Sequence, residues 1–338
     1  MARSARGLVG QGPLCGGLVA GLAVLAVLAT GTPTRAEEIV IGVPDWSSAT
    51  VTAHMLKAVL EQEFGVEVAL EDGTNEQIFE GMDAGTRHIH PEVWLPNHSA
   101  LNSEYVVRRK TAAMSPKGVP ARQGICVTQA TQDAHGVSSV SDLADPAVAK
   151  VFDTDGNGKG EIWIGADDWS STRIEQIRAR GYGYAETMDL LKAPEAIALT
   201  AIDAAMAAGK PLVFFCYEPH YKFELHDIVF LDEPNYHPGN WTVVTPDQDA
   251  DWLENSRIDV AWPPSFLHIT YATKLAEDRP DIAAYLDAIA LDVDTVSEMT
   301  YALIVERRDP DDFAADWIAD NADRVSSWRE RARRKGSE

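Results

Sequence analysis

The 338-residue chain has little with which to cross-link itself, hold a polyanion or span a membrane. It contains three cysteines, Cys15, Cys126 and Cys216. That number excludes a disulfide scaffold, and no histidines cluster with them at zinc-ligand spacing. Basic residues are scarce, 29 Lys+Arg against 52 Asp+Glu, for a net charge of −23. Such a charge repels nucleic acid and anionic lipid surfaces, while remaining compatible with a cationic or zwitterionic ligand. Long apolar runs are missing after Thr30. The apolar stretch Gly16 to Thr30 follows Arg3 and Arg6 and precedes Thr34-Arg35-Ala36. This pattern predicts a secretory signal peptide over 1–36, too short for a membrane span with normal flanks. No lipid-attachment cysteine follows the apolar stretch, and removing 1–36 leaves a net charge of −26 because only Arg3, Arg6 and Arg35 are lost.

Catalytic signatures are lacking too. There is no G-x-S-x-G elbow, H-E-x-x-H helix, P-loop or clear G-x-G-x-x-G fingerprint. Asp167-Asp168 and His98 are the nearest approach to acid–base chemistry, and paired acids beside a tight turn read as solvated. A periplasmic hydrolase is therefore a distant alternative to a binding protein.

What the chain does have is alternation. Ile39–Val43, Val66–Leu70 and Ile89–Trp94 read as strands, separated by helices over Thr52–Phe64 and Gln77–Ala84. This order predicts a mainly parallel sheet. A Pro/Gly-containing stretch at 116–123 and Trp262-Pro263-Pro264 read as crossings to and from a second lobe. The second lobe carries strands at Gly124–Thr128, Leu212–Cys216, Ile228–Leu231 and Trp241–Val244. Its helices are expected at Thr172–Arg180, Ala185–Lys192 and Pro194–Ala208, and Phe266–Ala272 is a returning strand. Helices Ile282–Leu291, Thr295–Val305 and Asp311–Arg334 close the chain. The expected fold is α/β and two-lobed, with the ligand in the interlobe cleft: 37–122 and 263–338 form lobe one and 123–262 lobe two. Cys126 and Cys216 both sit in apolar strand-like runs, so a disulfide and two buried thiols are equally compatible with the sequence.

Four strand-like runs end in an aromatic residue with small or polar neighbours: Trp46, Trp94, Trp169 and Tyr217. In open α/β sheets ligands bind beyond the carboxyl ends of strands. Four ring faces delivered there predict a box for a quaternary ammonium, which has no N–H to donate and is attracted by ring quadrupoles. Tyr217 serves a strand cap equally well. Trp163, Trp241, Trp252, Trp262, Trp317 and Trp328 read as core packing. Trp94 and Trp169 are expected at loop tips. Ser170 and Ser171 open a helix, either as an ordinary N-cap or as a site whose amides hold an anion.

With these segments in hand, the mature chain resembles the periplasmic binding proteins of ABC importers for glycine betaine, proline betaine and related quaternary amines. The resemblance rests on Glu92-Val93-Trp94-Leu95-Pro96-Asn97-His98, on the segment 151–160, on Asp168-Trp169-Ser170-Ser171 and on Phe214-Phe215-Cys216-Tyr217-Glu218-Pro219. It implies a type II-like binding-protein fold, a periplasmic location, an inner-membrane permease as partner, a monomer, and no nucleic acid. It implies that Trp94, Trp169 and Tyr217 form walls and that His98 with the Ser170 and Ser171 amides takes a carboxylate. Tyr217 stands where close relatives have tryptophan. Trp46 matches the choline-binding branch, but Ser48 replaces that branch's acid, which argues against choline. Trimethylamine N-oxide is the alternative ligand, with protonated Glu92 or Glu218 as candidate donors.

One further motif stands apart. Asp153-Thr154-Asp155-Gly156-Asn157-Gly158-Lys159-Gly160-Glu161 begins like a calcium loop. Oxygens fall at positions one, three and five, Lys159 stands at seven and Glu161 at nine, while position twelve is Ile164. A structural calcium site and a metal-free Asx/Gly hairpin fit equally well, and no other cofactor is expected.

Overall fold

The computed structural model describes residues 38–335, so the expected signal peptide lies outside the described residues. Strand β1 (Ile39–Val43) is buried along its whole length, as a strand covered on both faces must be. Helix α1 (Ser47–Phe64) buries Met55, Leu56, Val59 and Leu60 and ends at Gly65 with φ 62°, a left-handed geometry that glycine adopts without a Cβ clash. Strand β2 (Val68–Asp72), helix α2 (Asn75–Ala84) and strand β3 (Ile89–Leu95) complete the β-α-β-α-β unit.

The remaining strands are β4 (Ala112–Met114), β5 (Val119–Thr128), β6 (Gly160–Trp163), β7 (Met188–Leu191), β8 (Val213–Glu218), β9 (Ile228–Phe230), β10 (Trp241–Thr242), β11 (Arg257–Ile258) and β12 (Ser265–Ala272). The main sheet runs β2-β1-β3-β12-β5-β8-β6-β7, with β4 on β12 and β9 on β5. Its two ends, β2-β1-β3 and β8-β6-β7, are parallel. The middle is antiparallel: β12 pairs β3 and β5, and β5 pairs β8. β5 therefore joins both ends, bonding β12 through Val119–Ala121 and β8 through Arg122–Val127. Buried apolar residues fall into two clusters. One gathers β1, α1, β3 and the C-terminal helices, and the other gathers β5, β6, β8 and the helix Ser170–Tyr182. The architecture is the mixed α/β, two-lobed arrangement expected, with helices flanking a mixed sheet that is parallel at its two ends.

Three segments differ from the sequence reading. Ala185–Lys192 is not a helix: a short turn, Tyr184–Glu186, leads into β7, which pairs β6 from Gly160↔Met188 to Trp163↔Leu191. Tertiary pairing outweighs weak helix propensity there. Asp311–Arg334 is two helices, Pro310–Asp320 and Ala322–Lys335, broken at Asn321. Of the Pro/Gly stretch 116–123, residues 119–123 already belong to β5. Cys126 and Cys216 form a disulfide between β5 and β8, with Cα atoms 5.8 Å apart.

Candidate ligand-binding site

Each wall is placed by a strand end or helix start. Side chains alternate along a strand, so β3 points Glu92 and Trp94 the same way. The chain then turns at the cis Leu95-Pro96 bond into Asn97 and His98. β8 carries Tyr217 just before the cis Glu218-Pro219 bond. Trp46 and Trp169 occupy the N-cap positions of α1 and of the helix Ser170–Tyr182, and neither helix has a side-chain cap from that residue. Gly165, φ +119°, makes the approach to Trp169 possible: a Cβ there would meet Thr172 Oγ1 at 2.3 Å and Trp169 Cε3 at 3.2 Å. The sequence expectation of Trp94 at a loop tip is corrected. It lies inside β3 and is 6% exposed, because β12 pairs alongside it at Leu267.

The four rings form a circuit. Trp46 meets Trp169 at 6.3 Å and 84°, Trp169 meets Tyr217 at 6.1 Å and 73°, and Tyr217 meets Trp94 at 5.3 Å and 85°. Neighbours so nearly perpendicular are walls rather than a stack. Glu92 closes the circuit: its Oε1 accepts from Trp46 Nε1 at 2.7 Å, Trp94 Nε1 at 2.8 Å and Ser48 Oγ at 2.6 Å. The cavity so framed encloses about 30 Å³, against roughly 10–15 Å³ for one water. Trp46, Trp94, His98, Trp169, Ser170, Ser171 and Tyr217 all line it, together with Asn75, Asn97, Gln123 and Phe215.

Its polar rim consists of neutral donors. His98 is 4% exposed, its Nδ1 has no partner, and its ring stacks on Trp46 at 6.4 Å. Burial is the main cause that lowers its pKa to about 4, with Arg173 adding to the fall against a backbone bond to Trp94. His98 is therefore a neutral imidazole at pH 7. Ser170 and Ser171 are the first two residues of an uncapped helix, so their amides are among the N–H groups that such a helix leaves unpaired.

Glu92, Glu195 and Glu218 are not among the lining residues. Glu92 lies behind the indoles. Burial raises its pKa to about 7, opposed by the bonds from Ser48, Trp46 and Trp94 and assisted by the charge of Glu195. Glu195 was missed in the sequence. Its Oε2 accepts Ser47 N at 2.8 Å and its Oε1 accepts the Tyr217 hydroxyl. His220 Nε2 stands 3.7 Å away. Burial alone would raise Glu195; His220, Tyr217 and the Ser47 amide outweigh it and hold the carboxyl below its usual range. Gln123 was also missed; it holds Asn97 through two amide bonds of 2.7 and 2.9 Å. No motif marks either residue, since their roles arise only where distant segments meet.

The acidic loop is separate. Asp153, Asp155 and Glu161 bring carboxylate oxygens within 4.8 Å of one another. Within it Asp153 accepts Gly156 N and Gly158 N, Asp155 accepts Asn157 N, and Asn157 accepts Lys159 N.

Residues 37–320 match the substrate-binding domain of ABC-type glycine betaine transport systems. The chain is 24% identical over 323 residues to the trimethylamine N-oxide-binding protein of Pelagibacter ubique, covering 90% of this chain and 95% of that one. It is 20% identical over 216 residues to the glycine betaine/proline betaine-binding periplasmic protein of Salmonella typhimurium, covering 62% and 63%. Lactococcal OpuAC in its closed form with glycine betaine shares the fold at a TM-score of 0.65 and 16% identity, over 86% of this chain and 98% of the other. With that fold and a ring of four aromatic walls around one small cavity, the chain belongs to the family of substrate-binding domains of ABC-type glycine betaine transport systems.

Proposed function

We propose that the cavity captures a betaine and delivers it to an ABC permease, without turnover. The trimethylammonium head enters the ring of Trp46, Trp94, Trp169 and Tyr217, and the carboxylate meets His98 and the Ser170 and Ser171 amides. One observation carries this reading: the lining divides into aromatic walls and neutral donors, with the carboxylates of Glu92 and Glu195 held behind the walls. A zwitterion satisfies both halves at once. Each desolvated ring face contributes on the order of 0.5–2 kcal/mol to a cation, so several faces together support micromolar binding after association costs.

In this reading 37–122 with 263–338 and 123–262 are the two lobes, closing about β5 and β12. Trp46 and Trp94 then face Trp169 and Tyr217 across the cleft. The protein works as a periplasmic monomer after loss of 1–36, and its net charge of −26 in that form keeps nucleic acid away. The Cys126–Cys216 disulfide supports an oxidising compartment. The loop Asp153–Glu161 is taken as a structural calcium site.

Trimethylamine N-oxide is the second reading. The name of the Pelagibacter ubique relative and the small cavity both favour it. Thermal shift with glycine betaine, proline betaine, choline, carnitine, dimethylsulfoniopropionate and trimethylamine N-oxide separates the two, since stabilisation grows as RT ln(1+[L]/Kd). Glycine betaine is expected to give the largest shift. A larger shift with the N-oxide, with affinity rising as pH falls, would replace the betaine reading.

A further inference from the structure

We propose that Glu92 is the positioning residue of the aromatic box: one carboxylate oxygen fixes two of its walls and makes their faces more attractive to a cation. The inference rests on the quaternary-amine reading of the cavity and concerns a residue that does not line it.

The geometry is unusual for a buried acid. Glu92 is 2% exposed, and the described residues give it no ion pair. Its Oε1 alone collects Trp46 Nε1, Trp94 Nε1 and Ser48 Oγ at 2.6–2.8 Å. Trp46 and Ser48 come from the start of α1 and Trp94 from β3, so the same oxygen ties two elements together at the cavity wall. Buried hydrogen bonds of this kind polarise their partners. An indole whose N–H points at a carboxylate carries more electron density on its ring, and the ring quadrupole is what attracts a quaternary ammonium. The carboxylate thus acts on the cation through both indoles and adds its own charge from behind them. An apolar residue in its place would leave two indole N–H groups and a hydroxyl buried without partners.

The other titratable groups around Glu92 are few. His90 on the same strand receives the Glu92 amide N–H on Nδ1, and burial holds it neutral. His98 is neutral for the same reason. Lys117 borders, with Glu92, a second cavity of about 20 Å³. Glu195 acts on it from the far wall, with His220 beside Glu195. Around neutral pH the carboxyl of Glu92 passes between its two forms, and only the ionised form draws a cation. Affinity for a cationic head therefore rises with pH across that range.

The test uses the mature protein with glycine betaine as probe, titrated from pH 6 to 8.5, for wild type, Glu92→Gln and Glu92→Leu. Wild type is expected to gain about tenfold in affinity across the range, as one group's ionisation couples to one bound cation. Glu92→Gln keeps an acceptor oxygen and is expected to bind at the wild type's low-pH level with a flat profile. Glu92→Leu is expected to lose tenfold or more at every pH. A separate readout is the pair of Trp46 and Trp94 indole N–H resonances in the ligand-free protein. They are expected to move together with one midpoint near neutrality in wild type and to stay fixed in Glu92→Gln. The proposal is overturned if Glu92→Gln retains the wild-type pH profile, if Glu92→Leu binds like wild type, or if the wild-type indole resonances do not titrate. A wild type that ignores glycine betaine would sink the betaine reading, while the indole titration would still decide the role of Glu92. If Glu92→Leu does not fold, Glu92→Gln and the indole titration carry the decision.

Discussion

The two sides of the box are each backed by a buried glutamate, and the two glutamates differ in kind. Glu92 holds Trp46 and Trp94 and is met only by neutral donors, so burial wins and its pKa rises to about 7. Glu195 holds the Tyr217 hydroxyl and stands at two helix starts, as first residue of the helix Glu195–Ala207 and as acceptor for Ser47 at the head of α1. With His220 nearby, its carboxyl falls below the usual range despite equal burial. A helix N-terminus and an imidazole stabilise charge; two indoles and a hydroxyl stabilise it less. One side of the box is therefore permanently anionic at neutral pH, and the other is adjustable.

The comparison is broken most severely by removing a wall. Trp94→Ala and Trp169→Ala are each expected to weaken glycine betaine binding by about 2 kcal/mol or more, roughly 30-fold, with the fold kept. Fluorescence titration reads this, and wild-type affinity in either variant would take that ring out of the box.

Replacing the glutamates sharpens it. A carboxyl whose folded pKa is raised contributes stability that is complete below its unfolded value, near 4.5, and lost as pH climbs through about 7. Glu92→Gln removes that loss, so at pH 8 the ligand-free variant is expected to be more stable than wild type by up to about 3 kcal/mol, the equivalent of the shift. The difference should fade by pH 4.5. Glu195 has the opposite sign: its contribution is present above the unfolded pKa and disappears as pH falls through the lower folded one. Glu195→Gln should therefore destabilise at pH 7 and converge on wild type in acid. Urea unfolding across pH measures both, and parallel curves would show that the two carboxylates are equivalent after all.

His98→Ala is expected to cost glycine betaine about 1.5–3 kcal/mol, as for a hydrogen bond to a charged group. Choline has no carboxylate to lose and should show little change by calorimetry. The smallest effect concerns the acidic loop. Removing calcium with chelator should lower stability by about 1 kcal/mol, or about 2 °C for a chain of this size, without altering ligand preference. No shift, and no calcium by elemental analysis, would leave Asp153–Glu161 as a hairpin.

Much of this site was legible because it is built from local signals. Strand periodicity followed by an aromatic residue located Trp46, Trp94, Trp169 and Tyr217, and serines opening a helical run located Ser170 and Ser171 in the cavity lining. What was hidden depends on approach rather than pattern. Glu195 reads as an ordinary acid in a helix's first turn, and only packing against α1 turns it into a partner for Ser47. Met188–Leu191 reads as helix until β6 supplies a strand beside it. Glu92 could be named from sequence as an acid near the box, but its place behind the indoles follows from the side-chain directions at the end of β3. The disulfide stayed open because two apolar runs do not reveal that they are neighbours.

The borrowed cap on α1 has a consequence for how closure can be watched. Trp46 supplies no side-chain cap to α1, and the first turn of that helix contains no acid of its own; the acceptor for the Ser47 amide comes from Glu195, on the opposite wall. In the closure proposed above, separating the walls leaves that amide only water for a partner. Its deuterium exchange rate thus becomes a clock for opening, slow while the cleft is shut and fast when it gapes, readable at one backbone position without labelling the ligand.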